Sequence, residues 1–140
     1  DNAILDPGPP PLVTLFDWEL SGFGDPAWDV GSALADTVSI PVRLEGPSRC
    51  PAEPVEWVDP TVRAVLCAYG SAGQKATEGF AERVGLSWVA RLVHLTLETA
   101  AAVKDPYHDL VVGLMTMARQ LAGHVDEVVP LVRSALGPPP

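Results

Sequence analysis

Residues 12–34 read LVTLFDWELSGFGDPAWDVGSAL, and a strand pattern gives way to a helix pattern inside them. Leu12, Val13, Leu15 and Phe16 form a short strand-like run. The run ends at Asp17, where the chain leaves a sheet and a polar side chain can face a cleft. Trp18 and Glu19 follow, Gly22 and Gly24 loosen the backbone, and Asp25-Pro26 reads as a helix start. An Asp at the N-cap accepts a backbone N–H, and proline at the first helical position lacks only an N–H that has no helical partner there anyway. The pattern predicts a helix from Pro26 to Val38.

On the N-terminal side, Ala3 to Leu5 is a second apolar run, separated from Leu12 to Phe16 by the turn-forming Asp6-Pro7-Gly8-Pro9-Pro10. Two apolar runs across such a turn predict a β-hairpin. Antiparallel pairing sets the residue entering the first strand beside the residue leaving the second, which brings Asn2 towards Asp17. An amide oxygen and a carboxylate converging at the open end of a sheet suit Mg2+, a hard cation that takes one or two protein ligands and keeps several waters. The same two residues also fit ordinary capping of a turn and a loop. Hairpin geometry alone leaves both readings open.

Downstream, Ser39 to Asp59 carries Pro41, Pro47, Pro51 and Pro54, with Pro60 just after, and reads as a long proline-rich loop. Its charged residues Arg43, Glu45, Arg49, Glu53 and Glu56 fit a solvated pattern better than substrate contacts, and Trp57 and Val58 return the chain to the core. Asp59-Pro60 repeats the Asp-Pro start and opens a helix to Gly70, with Val62, Val65, Leu66 and Tyr69 at helical spacing. A longer helix is expected from Thr77 to Val103. Phe80, Val84, Trp88, Leu92, Leu95 and Thr99 form its buried stripe, and Arg91, His94 and Glu98 a polar one. Asp105-Pro106 opens a third, to Gly123, and Val125 to Leu136 makes the last. The expected organisation is residues 1–38 as hairpin, Asp-Trp-Glu segment and first helix, 39–59 as loop, and 60–137 as a helical subdomain, all in one lobe. The fold class is therefore mostly α with a small β-hairpin.

With 47% hydrophobic residues in 140, the chain can supply an ordinary core for one domain. A formal net charge of -9 argues against nucleic acid as a partner, because phosphates call for a Lys/Arg surplus. Cys50 and Cys67 are isolated and outside any CxxC pair, which points to a reduced, cytoplasmic setting. The apolar runs are too short and interrupted to span a membrane. His94, His108 and His124 lack the spacing of a zinc site and read as structural or solvated, and Met115 and Met117 as core filler. There is no GxSxG elbow, P-loop or GxGxxG. A first residue of Asp, running straight into a strand, reads as a cut inside a larger protein.

Three blocks, Asp1-Asn2-Ala3-Ile4-Leu5-Asp6, Leu15-Phe16-Asp17-Trp18-Glu19 and Gly24-Asp25-Pro26-Ala27-Trp28-Asp29-Val30-Gly31, together resemble the C-terminal lobe of the aminoglycoside phosphotransferase and choline kinase-like family. The resemblance covers residues 1–34 closely and the later helices only in their number. It implies the C-terminal lobe of a protein-kinase-like α+β fold, with the N-terminal nucleotide lobe missing, and an ATP- and Mg2+-dependent transfer of phosphate to a hydroxyl group. The acceptor would be a small molecule such as an aminoglycoside or amino alcohol, and the nucleotide ATP or another nucleoside triphosphate. Asn2 matches the asparagine that ends the family's catalytic loop. Asp17 matches the acid that bridges Mg2+ to the nucleotide phosphates. Asp25 remains a cap, and Asp29 matches an aspartate that ties the helix to the catalytic loop, although a favourable charge near a helix N-terminus accounts for it equally. No catalytic base lies among these residues, since the resemblance puts that Asp just upstream of Asp1, so the isolated piece is expected to be inactive. The alternatives are a kinase-like domain that binds without catalysing, and a relative acting on peptide Ser/Thr in natural-product biosynthesis.

Overall fold

The computed structural model describes residues 3–15, 24–72, 77, 79–105 and 107–137. The hairpin is present. Strands β1 (Ala3–Asp6) and β2 (Leu12–Leu15) pair antiparallel with Ala3 opposite Leu15 and Asp6 opposite Leu12. Asp6 Oδ1 accepts from the N–H of Gly8 at 3.0 Å, closing the turn locally. Because Ala3 pairs with Leu15, the chain enters β1 and leaves β2 at the same end of the ladder.

The rest is helical: α1 (Pro26–Glu45), α2 (Pro60–Ser71), α3 (Phe80–Val103) and α4 (Asp109–Leu136), with short 3-10 turns at Pro47–Arg49 and Pro54–Val58. Helix α3 is central, packing on α1 and on α4. Val84, Trp88 and Leu92 on its inner stripe are fully buried, as the spacing predicts. Contacts between α1 and α3 advance together, from Asp25 with Arg83 to Asp36 with Arg91, so the two helices run in the same direction. Gly31 lets them approach, since a Cβ there would lie 2.7 Å from Ser87 Cβ and from the backbone nitrogen of Trp88. Trp57 is fully buried and meets Trp88 edge-on at 5.8 Å between ring centroids, so the proline-rich segment does return to the core where expected.

Several helix boundaries differ from the sequence reading. Helix α1 continues past Val38 to Glu45, with Pro41 inside it. A proline there removes one helical hydrogen bond and disfavours helical backbone just before it, but Val38, Ser39 and Val42 are all buried. The burial of that face outweighs the local signal. The helix stops instead at Gly46, whose φ of 98° suits glycine and whose N–H bonds back to the Val42 carbonyl. Likewise, the two helices expected to meet at Gly123 are one, α4, which runs through both Gly123 and Pro130. Leu121 before the break and Val128 and Val132 after it are fully buried, so one continuous apolar face overrides the glycine. His124 is thus inside a helix rather than past its end, and pairs with Glu127 at 3.1 Å.

The start of α4 is also displaced. His108 is the N-cap, its Nδ1 accepting from the N–H of Leu110 at 3.3 Å, while Asp105 accepts from the N–H of Tyr107 in the preceding turn. Helix α3 begins at Phe80 rather than Thr77, whose carbonyl accepts from the N–H of Phe80. Among the described residues, no helix is long and apolar enough to cross a membrane.

Candidate functional site

The residues singled out for metal binding, Asn2 and Asp17, lie outside the described residues. The described structure fixes what flanks them: the open end of the hairpin on one side and the N-terminus of α1 on the other. Among the described residues there is no group of three or more His, Cys, Asp or Glu able to hold a metal ion.

Asp25 is the N-cap of α1, accepting from the N–H of Ala27 at 3.0 Å, with Pro26 at the first helical position as the Asp-Pro pair predicts. Its other oxygen, Oδ2, accepts from Nε of Arg83 in the first turn of α3 at 2.6 Å. Arg83 also donates through NH2 to Thr77 Oγ1 at 2.9 Å and lies 5.9 Å from the centroid of the Phe80 ring. The Ala27 N–H, the largest influence, holds the Asp25 carboxyl below its ordinary pKa; desolvation opposes it, and the Arg83 guanidinium adds to the lowering.

Phe80 stacks on Tyr69 of α2, with centroids 5.5 Å apart and planes within 6°. Burial, then the carboxylates of Asp29 and Asp25, push the Tyr69 hydroxyl upward. Asp29 is therefore near enough to be felt at Tyr69, and it sits exposed in the first turn of α1, where a negative charge faces the positive end of the helix dipole. Four elements meet here: the start of α1, the last turns of α2, the connection after it and the start of α3.

Sequence reasoning found Asp25 and Asp29 but missed Arg83, Thr77 and the Tyr69–Phe80 stack. Arg83 is 58 positions from Asp25, and no local pattern marks a partner at that range. Sequence reasoning did find the polar stripe on α3. Arg91 NH1 donates to Glu98 Oε2 and to His94 Nδ1, each at 3.1 Å, and Asp36 of α1 joins them at 3.7 Å from Arg91. Arginine only donates, so His94 Nδ1 takes part in that contact as an acceptor.

Glu45, Arg49, Glu53 and Glu56 of the proline-rich segment have structural partners. Glu45 pairs with Arg49 at 2.9 Å, and Glu53 and Glu56 form a reciprocal capping box around the Pro54–Val58 turn. Glu56 Oε2 accepts from the N–H groups of Ala52 and Glu53, which lower its pKa. Beside this segment is a cleft of about 480 Å³, lined by both α1 and the start of α2.

A model of the phosphotransferase enzyme family matches residues 1–77, more than half of the 140. The chain belongs to that family. The match spans the hairpin, α1, the proline-rich segment and α2, and leaves α3 and α4 outside it. No curated protein and no solved structure matches the chain.

Proposed function

We propose that the chain forms part of an ATP- and Mg2+-dependent kinase that phosphorylates a hydroxyl group of a small molecule, within the C-terminal lobe of a protein-kinase-like fold. Family membership supports phosphate transfer in general. The single structural observation that carries the finer reading is the register of the hairpin: Ala3 lies opposite Leu15, so the first strand begins and the second ends at a common end of the ladder. The stretches next to that end in sequence hold Asn2 and Asp17. An amide and a carboxylate are the hard oxygen donors that Mg2+ takes, and a site of one or two protein ligands needs no larger cluster among the described residues. When bound, the metal would neutralise charge on the nucleotide phosphates.

This chain's own residues have two tasks in that reading. Asn2 and Asp17 supply oxygens at the open end of the hairpin. Asp25, Arg83 and Thr77 anchor the N-terminus of α1 to α3, giving the connection from β2 a fixed far end. The base that accepts the hydroxyl proton is proposed to be an Asp about four positions before Asp1. The 140 residues alone should then bind no substrate productively, because positioning of both reactants needs the upstream parts.

In the full-length protein, Asp17→Ala should abolish ATP turnover on a hydroxyl acceptor and leave the thermal melt unchanged. Turnover within a few-fold of the parent would refute the metal assignment. An upstream sequence without the acid would instead favour a kinase-like domain that binds but does not transfer.

A further inference from the structure

The outer surface of the α3–α4 pair carries an apolar stripe. Leu86 and Leu97 of α3 are 63% and 60% exposed, and Val93 of α3 and Met115 of α4 are exposed as well. The Glu82–Arg133 ion pair marks where the outer faces of the two helices meet. Leu86 and Val93 follow Glu82 by four and eleven residues, about one and three helical turns, and so share its face of α3. Met115 and Ala122 precede Arg133 by 18 and 11 residues, about five and three turns, and so share its face of α4. Scattered exposed apolar residues need no explanation, but a stripe shared by two packed helices does.

Arg119 and Asp126 lie on the same face of α4, about four and two turns before Arg133, and both are exposed. The ion pairs of α4 use His124, Glu127 and Arg133. Among the described residues, Arg119 and Asp126 have no hydrogen bond or ion pair. Their charges are opposite, but seven residues along one helix hold them about 10 Å apart, too far to pair. A second copy packed antiparallel brings them together twice, Arg119 of each copy against Asp126 of the other. The midpoint of the two lies beside Ala122. A Cβ on Gly85 would touch Val125 and Val129, and Glu82 pairs with Arg133, so this level of α4 corresponds on α3 to the neighbourhood of Ala90. Leu86 and Val93 are also seven apart and straddle Ala90. One two-fold axis therefore serves both helices, setting Arg119 against Asp126 on α4 and Leu86 against Val93 on α3, with the small exposed residues Ala90 and Ala122 near the centre.

We infer that this face is a self-association surface, covered by a second copy of the chain in an isologous, antiparallel dimer of α3–α4 pairs. The charges on the face balance, Glu82 and Asp126 against Arg119 and Arg133, so the net charge of -9 does not oppose the contact at close range. The inference does not rest on the kinase reading, and the helices it uses lie outside the stretch matched by the family model.

Sedimentation velocity of the full-length protein from about 1 to about 100 µM should show a monomer–dimer equilibrium with a dissociation constant below about 50 µM. Arg119→Asp and Asp126→Arg each set like charges against one another in both reciprocal contacts and should weaken the dimer at least about tenfold. The double variant restores opposite charges in reversed order and should return to within about threefold of the parent. Leu86→Glu should abolish the dimer. All three positions are exposed, so the far-ultraviolet circular dichroism of the monomers should match the parent. A monomer at every concentration, a dimer indifferent to both single charge changes and to Leu86→Glu, or a double variant as weak as the single ones would overturn the interface.

Discussion

Nε of Arg83 and Oδ2 of Asp25 lie 2.6 Å apart and join the first turn of α3 to the N-cap of α1, although the two residues are 58 positions apart. The same carboxylate caps α1 through its other oxygen, so one side chain serves a local and a long-range contact at once. The ion pair is close to half exposed on both sides, and screening by solvent limits what the charge itself contributes. Comparing two replacements separates the contacts. Asp25→Asn keeps an N-cap acceptor and loses the charge, whereas Asp25→Ala loses both. The urea midpoint should therefore fall in the order parent, Asn, Ala, and Arg83→Gln should add little to Asp25→Asn if the two act on one contact. Equal losses from Asn and Ala would mean that the ion pair, not the cap, is what counts.

The depressed pKa of Asp25 gives that contact a pH signature. Its folded-state value lies below the reference of 3.8, so its contribution to stability is present in full above that reference and is lost as pH falls through the folded value. The difference in urea midpoint between the parent and Asp25→Asn should hold constant from about pH 7 to about pH 5 and shrink below about pH 4. A difference that grew on acidification would contradict the assignment.

How far the sequence revealed this fold depends on the range of each interaction. The Asp-Pro starts at Asp25 and Asp59, the turn between the strands, and the buried stripe through Val84, Trp88 and Leu92 are all set within a few residues and were readable. Pro41 and Gly123 are also local signals, and both misled, because the faces around them are buried against other helices that a local rule does not see. Arg83 was unreadable for the same reason: its partner is fixed only when α1 and α3 align. The site residues divide likewise. Asp25 could be placed as a cap from two letters of sequence, while the proposed metal role of Asn2 and Asp17 comes from a family pattern and the expected hairpin, and both residues lie outside the described ones.

Trp57 brings the proline-rich segment back to the core and is fully buried against Trp88. Neither indole N–H has a partner among the described residues, so replacing Trp57 gives up packing and no hydrogen bond. Trp57→Ala should cost about 3–5 kcal/mol, and Trp57→Phe, which keeps most of the ring contact, distinctly less. Denaturant titration followed by circular dichroism measures both. A loss under about 1 kcal/mol for the alanine would show that the segment is held by its capping box and not by the indole.

Two glycines inside helices should respond to alanine in opposite directions. At Gly31 an added Cβ meets Ser87 Cβ and the Trp88 backbone nitrogen at 2.7 Å, and the latter cannot turn aside. Helices α1 and α3 must move apart, and overpacking of this kind costs about 1–3 kcal/mol. At Gly123 an added Cβ meets nothing within 4 Å. There the substitution only removes backbone freedom from the unfolded chain and improves helix propensity in the interior of α4, worth about 1 kcal/mol of added stability. Gly31→Ala should lower the urea midpoint and Gly123→Ala should raise it. The second result also tests the helix itself: if α4 broke at Gly123, as the sequence alone predicts, the glycine would be a terminator and alanine would not stabilise the chain.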